Sequence, residues 1–272
     1  ARPRFRGDPR HRSLADTIGW SYDLLAPAVA ELLESLAVFA GPFGAAAARA
    51  AAPPELHADF DDAFDELVAA SLITVDVGAG ATSYRLLDTV RTFARDRLER
   101  RGADTAAYGR FVDHVADGVR TRLAGAAVRW RSDLIRSLID SFDDIAEALR
   151  WCIAHDPTPT RAHQLCSGLW GVVHQAHADD IVELMRELTQ RFPDDSSRGG
   201  VHALAVRATA EYVAGRPRAA LELVDLALAE FADPDGPGFF DTSTAHETLI
   251  ARPRELQDGA TPAGNSVMAE LL

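Results

Sequence analysis

The stretch Leu72-Ile-Thr-Val-Asp-Val77, with Gly78-Ala-Gly80 and then Ser83-Tyr-Arg-Leu-Leu87 behind it, decides the fold. Here the hydrophobic period shortens to the two-residue repeat of a strand, and the intervening glycines supply a turn, so the segment reads as a β-hairpin. Everything around it is helical. Upstream, Leu14 to Leu25 carries Leu14, Ile18, Tyr22 and Leu25 at helical spacing. Pro27 then opens a second helix with Val29, Leu32, Leu33, Leu36 and Phe39, which Gly41-Pro42 stops. A third helix, about Phe60 to Ser71, puts Phe60, Phe64, Leu67 and Val68 on one face. Downstream, Asp88 caps a helix through Arg101 that Gly102 ends.

Three helices followed by a hairpin make a winged helix, with residues 1–102 as its domain. The ordered motifs His11-Arg-Ser-Leu14, Trp20-Ser-Tyr-Asp-Leu-Leu25, Leu36-Ala-Val-Phe-Ala-Gly41, Leu67 to Val75 and Tyr84-Arg-Leu-Leu-Asp-Thr-Val-Arg91 together resemble one known module. It is similar to the winged-helix segment that follows the nucleotide-binding core in bacterial STAND-class regulatory ATPases, relatives of the NB-ARC proteins. The resemblance implies a relay for nucleotide state, packed on an upstream nucleotide-binding domain in the ADP state. It makes Asp88, Arg91 and Arg95 candidate relay or interface residues, and Trp20, Leu24, Phe39, Leu67 and Phe93 core. In the NB-ARC relatives a Met-His-Asp triplet at the end of the wing senses ADP. The matching residues here are Leu86, Leu87 and Asp88, so no sensing histidine is expected.

Composition narrows the function. All 28 basic residues are arginine, so no Walker A stretch with its phosphate-reaching lysine exists in the chain. No cofactor is expected in this chain, and ATP or ADP only in the upstream core. The net charge of −13 disfavours a sequence-independent grip on phosphates. The third helix, where a winged helix reads DNA, carries or adjoins Asp59, Asp61, Asp62, Asp65 and Glu66. Those acids lead to the expectation of no direct DNA binding, despite a basic arm at Arg2, Arg4, Arg6, Arg10 and Arg12. The crowd of Arg91, Arg95, Arg97, Arg100 and Arg101 is interleaved with Asp96 and Glu99 and reads as a solvated, ion-paired helix. Two cysteines, no signal peptide and no bilayer-length apolar run point to a cytoplasmic protein without membrane partners.

Beyond Thr105 the pattern is wholly helical: a connector over 103–159, then tetratricopeptide-like hairpins over 160–235. Arg131 to His155 reads as one long amphipathic stretch, and Arg161 to His177 pairs with Asp179 to Arg191. In the next pair, Val201 to Ala214 and Arg218 to Phe231, residues Tyr212, Gly215, Ala220 and Ala227 sit where a tetratricopeptide unit places them. The array is expected to bind a protein or small-molecule effector. An atypical tail, 236–272, is similar over Gly238-Phe-Phe-Asp-Thr242 and Arg252 to Ser266 to proteins that pair a thioredoxin-like domain with an (α/α)6 barrel of the six-hairpin glycosidase type. The chain stops inside what reads as a helix, so a truncated or mosaic sequence is suspected.

Cys152, His155, His163, Cys166, His174 and His177 form three i, i+3 pairs of zinc-compatible residues, but on separate predicted helices with no knuckle between them. They read as buried or rim positions. No G-x-S-x-G or local cysteine-nucleophile pattern occurs. The sequence therefore describes a mostly α chain, a winged helix with a small hairpin followed by a helical repeat array. It reads as the non-catalytic, effector-sensing part of a STAND-class transcriptional regulator. The competing class is a fragment of an (α/α)-barrel enzyme acting on a sugar-like substrate.

Overall fold

The computed structural model describes residues 17–77, 82–124, 132–193, 195 and 197–231. The chain divides into two compact units, Ala1–His114 and Val115–Leu272. The basic arm, the turn at 78–81 and the atypical tail lie outside the described residues.

In the first unit, α1 is described over residues 17–23, and α2 follows at Pro27–Leu36 with its proline at the first helical turn. Leu32, Leu33 and Leu36 of α2 are fully buried. The helix ends at Leu36, so Phe39 lies in the loop beyond, where it stacks on Phe43 at 4.5 Å and meets Phe111 edge-on at 5.2 Å. Sequence periodicity missed α3, Ala45–Ala51. An almost pure alanine run has the best helix propensity but no apolar-polar contrast to betray a face. The prolines at 53 and 54 close it. Next comes α4, Phe60–Ala69, which buries Phe60, Ala63, Phe64 and Leu67 and ends two residues before the predicted Ser71.

The hairpin is antiparallel: β1, Thr74–Val77, and β2, Thr82–Arg85, pair Thr74 with Arg85 and Val75 with Tyr84. Phe43 adds a bridge, its backbone donating to the Tyr84 carbonyl at 2.9 Å and accepting from the Tyr84 N–H at 2.8 Å. That bridge fixes the hairpin on the loop between α2 and α3. Behind it runs α5, Asp88–Arg100, which packs against α2. Gly102, at φ +68°, gives α5 its left-handed C-terminal stop: its N–H bonds Glu99 O, and the Ala103 N–H bonds Leu98 O. The helix α6, Asp104–Ala124, contains the division between the units.

The second unit is helical throughout its described residues. The predicted long stretch from Arg131 is two helices, α7 (Ser132–Asp140) and α8 (Phe142–His155), parted at Ser141. Then follow α9 (Thr160–Cys166), α10 (Leu169–Val173), α11 (Ala178–Arg191), α12 (Arg198–Val213) and α13 (Pro217–Phe231). The central helix is α12, which packs on α9, α10, α11 and α13. The tuck of its N-terminus needs glycine, because a Cβ at Gly199 would lie 2.0 Å from His163 Nδ1 and one at Gly200 2.2 Å from Asp195 O. No helix among the described residues is long and apolar enough to cross a membrane.

Candidate functional site

Two surfaces hold the residues on which function can rest, one in each unit. In the first, α3 and α4 form the helix-turn-helix pair and β1 and β2 the wing. Asp61, Asp62, Asp65 and Glu66 are exposed on α4. The arginine of α3, Arg49, is drawn back onto α4: Nη2 pairs with Asp61 at 2.6 Å, Nη1 donates to His57 O at 2.8 Å, and the guanidinium lies 4.5 Å over the Phe60 ring. On the wing, Thr82 and Arg85 are exposed.

The candidate relay residues separate into a pair and an outlier. Arg91 Nε and Arg95 Nη2, one turn apart on α5, both donate to the carbonyl of Ala37, at 3.3 and 3.4 Å. Two cations thus meet the carbonyl that follows α2, at the negative end of that helix. Asp88 is exposed and is the first residue of α5. The cap itself is Leu87, with no side-chain hydrogen bond, so Asp88 acts on the helix through charge in its first turn instead of as the expected cap.

Sequence reasoning missed the polar centre of this unit. Glu34 of α2 is buried. Tyr22 of α1 donates a short hydrogen bond to its Oε1, and Arg101 Nε stands 3.2 Å from its Oε2. Burial, then the bond to Glu34, pushes the Tyr22 hydroxyl pKa up to about 12. Of the expected core residues, Phe39 and Leu67 are buried and Phe93 is half-buried, but Trp20 and Leu24 are each 69% exposed. The core expectation for Trp20 and Leu24 rested on their apolar character within the resemblance. On α1 the buried face instead holds Ile18.

In the second unit the repeat positions have distinct roles. Ala220 and Ala227 are buried, whereas Tyr212 is 68% exposed. Gly215, at φ +79°, ends α12: its N–H bonds Tyr212 O, and the Arg216 N–H bonds Glu211 O. The cysteine and histidine pairs are dispersed. Cys152 and Cys166 are buried, and burial raises the Cys166 thiol pKa well above its ordinary value. His155 Nδ1 lies 3.0 Å from Trp151 O, and His177 stacks on Phe142 at 3.9 Å. No group of three metal-ligating side chains occurs among the described residues.

His163 takes part in something else. It lies on the wall of a cavity of about 440 Å³, together with Asp195, Arg207, Leu188, Leu204 and Leu223 among others. His163 Nε2 pairs with Asp195 Oδ2 at 2.8 Å, and the Ser197 N–H donates to Asp195 Oδ1 at 3.1 Å. Burial alone would raise the Asp195 carboxyl pKa, but these donors outweigh it and hold it below its ordinary value. Arg207 Nη1 donates to Thr189 Oγ1 at 3.0 Å, and its Nε is buried with no acceptor among the described residues. Desolvation pushes the Arg207 pKa down. Nearby, the His202 imidazole is buried with neither nitrogen bonded, and burial, reinforced by His163 and Arg198, lowers its pKa to about 4. The His163–Asp195 and Arg207–Thr189 partnerships have no local sequence signal, because each joins residues far apart in the chain; only the Ser197–Asp195 contact is local.

The family match falls in the first unit, whereas the stretches shared with individual relatives, 162 and 120 residues, are longer than that unit. Residues 25–99 match the winged helix-turn-helix domain family, so the chain carries a winged-helix domain. A 162-residue stretch, 59% of this chain, is 32% identical to proteins of Mycobacterium bovis and Mycobacterium tuberculosis provisionally named HTH-type transcriptional regulators. A 120-residue stretch, 42% of this chain, is 32% identical to an uncharacterized protein of Mycobacterium tuberculosis. The chain spans 18% of the former relatives and 30% of the latter. No solved structure matches. The expectation of no direct DNA binding, which rested on the net negative charge and the acids of α4, is corrected by the match to a winged helix-turn-helix domain and by the similarity to proteins provisionally named HTH-type transcriptional regulators. The chain is thus distantly similar to proteins provisionally named HTH-type transcriptional regulators, and its residues 25–99 form a winged helix-turn-helix domain.

Proposed function

We propose that this chain is a non-catalytic part of a transcriptional regulator, whose winged helix contacts duplex DNA and whose helical unit senses an effector. The observation that carries the reading is the agreement between the helix-turn-helix match over residues 25–99 and the order α2, α3, α4, β1, β2 built by the same residues. Phosphates approaching α4 meet exposed carboxylates, so the contact runs through the wing, where Thr82 supplies a hydroxyl and Arg85 a guanidinium. An acidic helix beside a wing whose one arginine, Arg85, is offset by Asp76 predicts weak, salt-dependent binding.

The finer reading is a STAND-class relay, supported by the ordered motifs from His11 to Arg91. In it the nucleotide-binding core stands outside this chain, and Asp88, Arg91 and Arg95 lie on the helix that couples the wing to α2. The repeats, with Tyr212, Gly215, Ala220 and Ala227, report the effector.

Fluorescence anisotropy of a labelled duplex, titrated with the full chain at rising salt, tests the DNA contact. Binding at low salt that weakens with added salt, drops several-fold in Arg85→Glu and tightens in Asp65→Asn is expected. Absence of binding at low salt, or indifference to both substitutions, overturns it.

A further inference from the structure

The cavity of the second unit holds an unbalanced cation. Its ion pair is closed: Asp195 is held at both oxygens, by His163 and by the Ser197 N–H. Among the described residues Arg207 has no carboxylate at ion-pair distance, and Glu211 and Glu183 act on it only from farther away. The carboxylate one turn along α12, Glu211, is engaged by Arg216 Nε and lies 3.9 Å from Arg186 Nη2, and Arg186 is itself paired with Glu183 at 2.7 Å. What Arg207 retains is one hydrogen bond to a neutral hydroxyl and a buried, unsatisfied Nε. That hydroxyl, Thr189 Oγ1, already donates to Met185 O at 2.9 Å. A guanidinium presents a planar fork suited to a carboxylate, and burying it without one carries a cost that a matching anion removes.

The rest of the wall is apolar. Leu188 and Leu223 are buried, Leu204 is half-buried, and Leu226 is half-exposed at the rim. The volume is that of a small-ligand site, large enough for an acyl chain or a ring. A wholly polar anion would leave these leucines facing nothing, and a neutral apolar molecule would leave Arg207 unmatched.

We propose that the cavity between α11, α12 and α13 binds a small organic carboxylate with an apolar body, the carboxylate on Arg207 and the body on Leu188, Leu204, Leu223 and Leu226. This inference names the effector class for the sensing role proposed above and rests on that reading. The two fail separately, because ligand binding is read without DNA and duplex binding without ligand.

The test is calorimetric titration of the full chain with sodium octanoate, 1-octanol and inorganic phosphate. Saturable octanoate binding is expected, with octanol and phosphate each weaker by at least about tenfold. Arg207→Gln should weaken octanoate by at least about tenfold and erase the preference for acid over alcohol. Equal binding of acid and alcohol, phosphate as tight as octanoate, or no saturable octanoate binding overturns the proposal. Should Arg207→Gln not fold, Leu226→Trp decides: its side chain is 49% exposed at the rim, so added bulk narrows the mouth without disturbing the core. Octanoate affinity must fall by at least about tenfold in that variant, and unchanged affinity overturns the proposal.

Discussion

Arg101, the residue after α5, stands with its Nε 3.2 Å from Oε2 of Glu34, a carboxylate buried in α2. The oxygen is close enough for an ion pair but is not aligned as a hydrogen bond. Tyr22 holds the other oxygen, and a second guanidinium nitrogen of Arg101 reaches Glu31 at 2.7 Å. One arginine thus closes the end of α5 onto two turns of α2.

Removing it should destabilise the first unit. Arg101→Ala leaves Glu34 buried with only the Tyr22 hydroxyl. Because the arginine is itself 41% exposed, solvent screens the pair and the expected loss is about 1–3 kcal/mol. Urea denaturation followed by far-ultraviolet circular dichroism reads it. Arg101→Ala paired with Glu34→Gln should recover part of the loss, since a neutral amide is cheaper to bury than an unpaired charge. A null effect in the single variant would show that Tyr22 alone sustains the carboxylate.

Phe39 and Trp20 should behave oppositely despite their similar bulk. Phe39 is buried between Phe43 and Phe111, so Phe39→Ala should cost roughly 3–5 kcal/mol. Trp20 is exposed, and Trp20→Ala should stay within about 0.5 kcal/mol. Thermal melts of the two variants settle the assignment, and comparable losses would contradict it.

His202 should make the second unit acid-sensitive. Its folded pKa of about 4 lies below the ordinary 6.5, so between those values the unfolded chain binds a proton that the folded chain refuses. Stability from this group is complete above about pH 6.5 and is lost as pH falls toward 4, by roughly 3 kcal/mol in all. Electrostatic repulsion from His163 and Arg198 acts in the same direction. His202→Leu should flatten the stability profile across that window relative to the parent chain. A parallel profile for the two proteins would mean the imidazole is hydrated when folded.

Local pattern alone determined the elements whose signals are contained within a few residues. Pro27 opening α2, the period change at the hairpin, and Gly102 and Gly215 ending α5 and α12 each depend on backbone preferences that one or two side chains impose. The same reasoning failed where the signal was contrast or apolar character: the alanines of α3 show no periodicity, Ser141 divides a stretch whose apolar spacing runs on, and Trp20 looks like core. Only the tertiary structure decided the partnerships. Arg91 and Arg95 meet at Ala37 O, Tyr22 and Arg101 converge on Glu34, and His163 and Arg207 face one cavity. The physical reason is that a hydrogen bond or ion pair acts over a few ångströms in space. Residues far apart in the chain acquire such a neighbour only after helix packing has fixed which faces meet.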